Sequence, residues 1–167
     1  MVPAYPDDVR ETFGWFGSAV HNAQFFEGDL ISLHMVLAAV DGKTTTASDL
    51  KSVESAKNKE TLGRLLRNLG KRLPTSQEDI DRWDRALAVR NELIHGFFWR
   101  NHARLLTPSS CREVAAELRE AALLFSTASE AVRRAIEVCI DLLGIDRLVW
   151  ERQVQEVLIR LSEWGFA

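Results

Sequence analysis

The stretch "IDRWDRALAVRNELIHGFF", residues 80–98, decides the fold prediction because its apolar residues recur with helical spacing. On a wheel at 100° per residue, its apolar side chains cluster on one arc: Ile80, Trp83, Leu87, Ile94 and Phe97. Arg90 falls inside this arc, and Asn91 and His95 fall together at its edge. The stretch therefore predicts an amphipathic helix that carries three polar residues in or beside its apolar face.

The rest of the chain has the same helical period, and no segment shows the sustained alternation of a strand. Helices are predicted from Asp7 or Asp8 to Ala39, after a cap at Ser48, from Leu62 to a cap at Gly70, from Ser76 to His95 with a possible turn beyond Gly96, from Pro108 to Gly144, and from Asp146 to Trp164. We predict a single all-α domain over residues 1–167, an up-and-down bundle of four main helices plus short helices.

Capping signals support two of these helix starts. Thr75 and Glu78 have the spacing of a capping box in front of the helix that contains Arg90. Thr107 followed by Pro108 is typical of an N-cap and a first helical position. Gly144 is the type of residue that ends such a helix.

Composition and charge limit the class of protein. With 46% hydrophobic and 27% charged residues, the chain is ordinary globular protein. Its net charge of −3 argues against a protein that coats nucleic acid without specificity. Cys111 and Cys139 lack the spacing of a zinc or redox pair, which favours reduced thiols in a cytoplasmic protein. A signal peptide and an uninterrupted apolar run of membrane-spanning length are both missing, so we expect no membrane partner.

One segment is locally basic. Residues 60–73 contain Arg64, Arg67, Lys71 and Arg72 against a single acidic residue. This pattern is typical of a solvated helix face, and it also suits contact with RNA phosphates. These four residues and Arg100 are the candidate RNA-binding residues.

The polar residues at 90–95 have a structural interpretation and a functional one. A buried arginine needs a partner, and Glu27 on the first helix falls in an apolar stripe, as does His34. An Arg90–Glu27 ion pair with His95 at a helix end would be purely structural. Alternatively, arginine binds phosphate oxygens and histidine exchanges protons near neutral pH, which together suit RNA cleavage through the 2′-hydroxyl. Asn91 is placed to hold a ring nitrogen of His95. Such chemistry requires no metal, and we predict neither a metal nor a cofactor.

The stretch "RNELIHG", residues 90–96, resembles the Arg-x4-His signature of the HEPN superfamily. The resemblance extends loosely over most of the chain, through the polar residues in "SAVHNAQFFEGDL" and the small "TLGRLL" helix. It implies a helical bundle that dimerises with two motifs facing one cleft. Many members are metal-independent endoribonucleases of toxin–antitoxin or other defence systems. By this resemblance Arg90 and His95 match the catalytic pair, Asn91 the accompanying polar position, and Glu27, more loosely, an auxiliary residue.

The chain departs from one branch of that family. A large toxin branch has a tyrosine two residues after the histidine, where a nucleotidyltransferase attaches AMP, but this chain has Phe97. That partner is therefore not expected. The aromatic run 97–99 is expected in the core or a dimer interface, although Trp99 would stack on a base if exposed. We expect a homodimeric endoribonuclease that leaves a 2′,3′-cyclic phosphate and has an antitoxin protein as partner. The alternative is a non-catalytic HEPN-like binding or regulatory module.

Overall fold

A computed structural model describes residues 6–43, 46–73 and 75–146, and these residues form helices without any strand. The helices are α1 (Asp7–Val40), α2 (Ala47–Lys57), α3 (Leu62–Gly70), α4 (Gln77–His95), α5 (Phe97–Asn101) and α6 (Pro108–Leu142), with a 3-10 turn at Arg104–Leu106. The all-α prediction is confirmed. Apart from its first residue, the predicted last helix, 146–164, lies outside the described residues.

Two predicted helix starts are displaced by one or two residues. The N-cap of α4 is Ser76, whose hydroxyl accepts a hydrogen bond from the N–H of Asp79 at 3.1 Å. The Thr75 hydroxyl instead donates to a backbone carbonyl, so the capping box predicted at Thr75 is wrong. The N-cap of α2 is Thr46, not Ser48, and it forms a reciprocal capping box with Asp49. The Thr107 cap of α6 is confirmed.

Glycines with positive φ close the two longest described helices. Gly42 follows α1 with a φ of 69°, and Gly144 follows α6 with a φ of 67°. At both ends the N–H of the next residue donates to a helix carbonyl five residues earlier, as Ile145 does to Ile140 at 3.3 Å. Gly70 differs from its predicted capping role, because it is the last residue of α3 and has no positive φ.

α1 and α6 lie side by side and run in the same direction. The Thr12 hydroxyl donates to the Cys111 carbonyl at 3.0 Å. About three turns further along both helices, the Asn22 amide donates to the Ala122 carbonyl at 3.1 Å. The most deeply buried large side chains come mainly from these two helices and α3: Phe26, Leu30, Leu33, Leu65, Leu69, Val114, Phe125 and Val132.

α4 runs antiparallel to both long helices. Near its start the indole N–H of Trp83 donates to the Ala128 carbonyl of α6 at 3.4 Å. Beyond its end Phe97 stacks on Phe16 of α1 with ring centroids 4.7 Å apart. The three long described helices thus alternate in direction along the chain. The predicted bundle of four main helices stays a prediction, because its last helix lies outside the described residues.

The predicted apolar stripes are only partly correct. On α1, Ala23, Leu30 and Leu37 are buried as expected, whereas Phe13 remains exposed. On α4 the core lies further around the wheel than predicted, so Ile94 is 45% exposed. The reason is that α6 packs on one side of α4 and buries Ala86 and Leu93, which the predicted stripe did not include.

By length and apolar composition, α1 meets the criteria for a membrane span, as do many core helices of soluble proteins. It packs along α6 and contacts α2, α3 and α4. The predicted cytoplasmic location and lack of a membrane partner therefore remain predictions.

Candidate functional site

Arg90 projects from α4 to α1 and forms the predicted pair with Glu27. The distance from Arg90 Nη2 to Glu27 Oε2 is 3.3 Å. The Arg90 side chain is 25% exposed and that of Glu27 is 31% exposed. The pair is thus neither deeply buried nor freely solvated, and it holds the guanidinium at the surface of the α1–α4 junction.

Asn91 contributes to this arrangement differently from the prediction. Its Oδ1 accepts a long hydrogen bond from Arg90 Nη1 at 3.4 Å. The predicted hydrogen bond between Asn91 and His95 does not form in the described structure, so that detail is wrong. Since a guanidinium has five N–H groups, these two contacts leave Arg90 with donors for a further anion.

His95 is the last residue of α4 and its side chain is exposed. Its ring has no hydrogen-bond partner among residues 6–43, 46–73 and 75–146. The position one helical turn after Asn91 places it on the same side of α4 as the amide. The Arg90 guanidinium and the exposed His95 imidazole are the two kinds of group that a phosphodiester transfer needs. They lie five residues apart on α4, which at 100° per residue points them about 140° apart around the helix.

His34 differs from His95, because its ring is buried and hydrogen-bonded within the protein. It is buried on α1, and its Nε2 lies 3.1 Å from the Leu65 carbonyl of α3. Removal from water is the main cause that lowers the pKa of His34. This histidine joins α1 to α3 as a neutral donor and has no room for a substrate.

Arg100, one of the candidate RNA-binding residues, folds back along the end of α4. Its guanidinium forms an ion pair with Glu92. A Cβ atom at Gly96 would lie 3.0 Å from Arg100 Nη2, so the lack of a side chain at Gly96 leaves space for the guanidinium of Arg100. Arg100 is therefore partly committed to a contact within the protein.

The basic residues on α3 and directly after it divide into paired and unpaired groups. Arg64 lies 3.4 Å from Glu60, and Arg72 lies 2.6 Å from Asp41. Arg67 and Lys71 are exposed and form no ion pair within the described part of the chain. These two remain the stronger candidates for contact with RNA.

Arg67 also lies on the side of α3 that faces α4. A Cβ atom at Gly63 would lie 3.7 Å from Arg67 Nη1 and 3.3 Å from a methyl group of Leu87. Leu87 precedes Asn91 by one helical turn, so Arg67 borders the same flank of α4 as the Arg90 motif. The sequence alone did not separate Arg67 from its basic neighbours, because charge pattern carries no information on the tertiary contact.

The aromatic run after His95 divides between core and surface. Phe97 is buried, as expected, while Phe98 is partly exposed and its ring packs 6.0 Å from Phe13 and 5.0 Å from Phe16. Trp99 is 87% exposed, so it does not lie in the core of the described chain, and the other expectation, a dimer interface, stays a prediction. The reason is geometric: Phe97 and Asn101 of α5 both point inward, and Trp99, two residues from each, points the opposite way.

Sequence reasoning also missed an exposed apolar patch beside the site. It consists of Phe13 on α1, Ile94 on α4 and Phe98 on α5. Phe13 and Phe98 are in ring contact, and Ile94 lies one turn before Phe98 along the chain. The patch was not predicted because the helical wheel of α4 places Ile94 on the apolar face, and that face was expected in the core.

No cluster of three or more metal-binding side chains occurs in the part of the chain that the structure describes. Both cysteines are buried and unpaired, and burial raises the pKa of the Cys139 thiol. A buried, protonated thiol is a poor nucleophile, so Cys139 is not a candidate for chemistry.

Comparison with known proteins adds no relative: no protein-family model matches the chain, and no curated protein or solved structure is significantly similar to it. The resemblance to the HEPN superfamily therefore depends on the Arg90–His95 motif and the helical architecture.

Proposed function

We propose that this protein is a HEPN-like, metal-independent endoribonuclease of a toxin–antitoxin or other defence system. The observation that carries the proposal is the partly exposed Arg90 guanidinium, tethered by Glu27 and lying on the same helix as the exposed, unpartnered ring of His95. A guanidinium needed only for packing would be expected to use more of its donors inside the protein.

In the proposed reaction, Arg90 binds the scissile phosphate and stabilises the negative charge that develops on its oxygens. The 2′-oxygen of the RNA attacks phosphorus while the bond from phosphorus to the 5′-oxygen breaks, giving a 2′,3′-cyclic phosphate and a 5′-hydroxyl. His95 transfers one proton in this step, either from the 2′-hydroxyl or to the leaving oxygen, and solvent water transfers the other. Asn91 adds a contact to the phosphate, and Glu27 is a positioning residue that orients Arg90.

The proposal includes a second copy of the chain and an antitoxin protein. The three side chains of the apolar patch, Phe13, Ile94 and Phe98, are 39–48% exposed near the C-terminal end of α4, and exposed apolar patches favour association. A second copy on this patch would bring two motifs to one cleft. Phe97 in place of tyrosine argues that an antitoxin would act by binding and not by adding AMP to that position.

The test is incubation of purified protein with a mixed pool of tRNA and structured RNA in EDTA. The variants are His95→Ala, Arg90→Ala and Arg90→Lys, with His21→Ala as the matched control, since His21 is also exposed on a helix away from the motif. We expect each motif variant to lose at least about 100-fold in cleavage rate. The His21→Ala control should cleave like the wild type, and the products should carry cyclic-phosphate ends. Circular dichroism and sedimentation check that all variants are folded and associate alike.

The second candidate is a non-catalytic binding or regulatory module. It is favoured by the ion pair itself, which joins α1 to α4 and could serve only the fold. Under this alternative the folded wild type cleaves no RNA in the pool, and Arg90→Ala changes only stability. Cleavage that survives equally in His95→Ala and Arg90→Ala would contradict the proposed site.

A further inference from the structure

Trp99 is the most exposed large apolar side chain in the described structure, at 87%. The residues around it are firmly placed. Phe97 is buried, and its carbonyl accepts a hydrogen bond from the Asn101 side chain at 3.0 Å. The Asn101 amide oxygen in turn accepts one from Arg104 at 2.9 Å. α5 is thus held from its inner side, and its outer side presents the indole to solvent in a defined direction.

This exposure is costly for a side chain that only fills space. A tryptophan offers more apolar area for burial than most residues, and leaving it in water forgoes that gain. The fold does not require an aromatic residue here, because the inward contacts of α5 are made by Phe97 and Asn101. A flat partner that covers the ring from outside would recover that gain.

The surroundings of the ring indicate the chemistry of that partner. Trp99 follows His95 by four residues along the chain, across the bend at Gly96. His102 packs near the indole with ring centroids 6.4 Å apart, and Arg100, which also pairs with Glu92, is the next residue in sequence. An aromatic face next to basic side chains is the combination by which proteins bind single-stranded nucleic acid.

We propose that Trp99 stacks on an unpaired base next to the scissile phosphate, so that the substrate is single-stranded RNA or an unpaired loop. This inference rests on the proposed function, and it adds a substrate class and a binding residue to it. A base inside a duplex has both faces covered by its neighbours and cannot stack on an indole. Trp99 therefore selects RNA whose base is free beside the bond that is cut.

The test measures RNA binding in EDTA on a His95→Ala background, which keeps the RNA intact. The probe is a fluorescently labelled unpaired oligoribonucleotide, compared with the same sequence held in a hairpin stem. Trp99→Ala is expected to weaken binding of the unpaired probe by about 5-fold to 100-fold, the range for loss of one base–aromatic stack. Trp99→Phe should retain most of the affinity. Leu106→Ala is the matched control, since Leu106 is 80% exposed on the 3-10 turn, and it should bind like the parent.

The outcomes separate this inference from the proposed function. If the wild type cleaves RNA in EDTA but Trp99→Ala binds the unpaired probe as tightly as its parent, the stacking role is wrong and the ribonuclease stands. If the wild type neither binds nor cleaves RNA, both fail together. If Trp99→Ala instead changes the oligomeric state in sedimentation, Trp99 contacts a second copy of the chain and the stacking role is overturned.

Discussion

Glu27 and His34 lie seven residues apart on α1, and both interrupt its apolar stripe, but the structure uses them in opposite ways. His34 belongs to what we term the closed junction, formed with Leu65, Arg72 and Asp41, where α1 meets α3. Its ring is buried and bonded to a backbone carbonyl 3.1 Å away. The His34 ring is 2% exposed and therefore cannot reach a ligand, whereas the Arg72–Asp41 pair at the edge of this junction is about as exposed as the Arg90–Glu27 pair.

The open junction, formed by Glu27, Arg90 and Asn91, joins α1 to α4. Its ion pair keeps about a quarter to a third of each side chain exposed, and the exposed His95 follows Asn91 by one helical turn. The comparison teaches that a polar residue in an apolar stripe is equally compatible with structure and with function. What distinguishes the two is the number of hydrogen-bonding groups that remain available after folding.

The largest expected difference between the two junctions is in stability. His34→Ala removes a buried ring and leaves the Leu65 carbonyl without its donor, so we expect a loss of about 2–4 kcal/mol in the free energy of unfolding. Glu27→Ala removes a partly exposed charge and should cost less than about 1 kcal/mol. Urea unfolding measures the stability of both variants. Equal losses in the free energy of unfolding would contradict the distinction between the closed and the open junction.

A smaller effect is expected on lowering the pH. Burial lowers the pKa of His34 below its ordinary value, so the unfolded chain binds a proton at a higher pH than the folded protein does. Stability should therefore be fully present above about pH 6.5 and fall as the pH drops through that value toward the folded-state pKa. Lys57 and Arg72 add to the lowering, while Glu60 opposes it.

Urea unfolding at pH 7.5 and 5.5 tests this expectation. Wild-type protein should lose more stability between the two values than His34→Gln, whose amide can donate to Leu65 without titrating. A loss of the same size in both proteins would show that His34 is not the group responsible.

Smaller again is the coupling expected across the open junction. A double-mutant cycle with Arg90→Ala, Glu27→Ala and the double variant isolates the interaction between the two side chains. Because both are partly exposed, we expect a coupling free energy below about 1 kcal/mol. A coupling free energy of about 3 kcal/mol or more would show that the ion pair mainly stabilises the fold, which would favour the non-catalytic alternative.

The smallest expected effect distinguishes Arg67 of α3 from Arg72, which lies two residues after the end of that helix. Arg72 belongs to the closed junction, bonded to Asp41 and to the Leu37 carbonyl, whereas Arg67 borders the open one. Arg67→Ala should reduce the slope of log affinity for single-stranded RNA against log salt by about 0.7, the value for one phosphate contact. Arg72→Ala should leave that slope unchanged and lower stability instead. The reverse result would show that the ion pair of Arg72 opens to bind RNA.

Helical periodicity was sufficient to predict the architecture along most of the described chain. The ends of α1, α4 and α6 lie within a residue or two of their predicted positions, because caps such as Thr107 and Gly144 are local signals. The N-cap of α4 was harder, since Thr75 and Ser76 are adjacent and both can cap. Their choice depends on the path of the preceding chain, which the residue types do not specify.

The ion pair of the candidate site could be predicted from the sequence, but the exposure of the side chains around it could not. Opposite charges in two apolar stripes predicted the contact between Arg90 and Glu27, and it forms. The exposure of Ile94 and Trp99 was not predictable, because it depends on where α6 packs and on the direction of α5 after Gly96. A wheel describes one helix, whereas burial is decided by its neighbours.

The parallel pairing of α1 with α6 has a consequence for synthesis of the protein. The hydrogen bonds that join these helices connect residues 99 and 100 positions apart in sequence. At about 5–20 residues per second, α1 leaves the ribosome roughly 5–20 s before its partner segments on α6 exist. For that interval its apolar side has no α6 to pack on. The docking of α1 is therefore a late event on the ribosome, and the nascent chain is most prone to aggregate before α6 emerges.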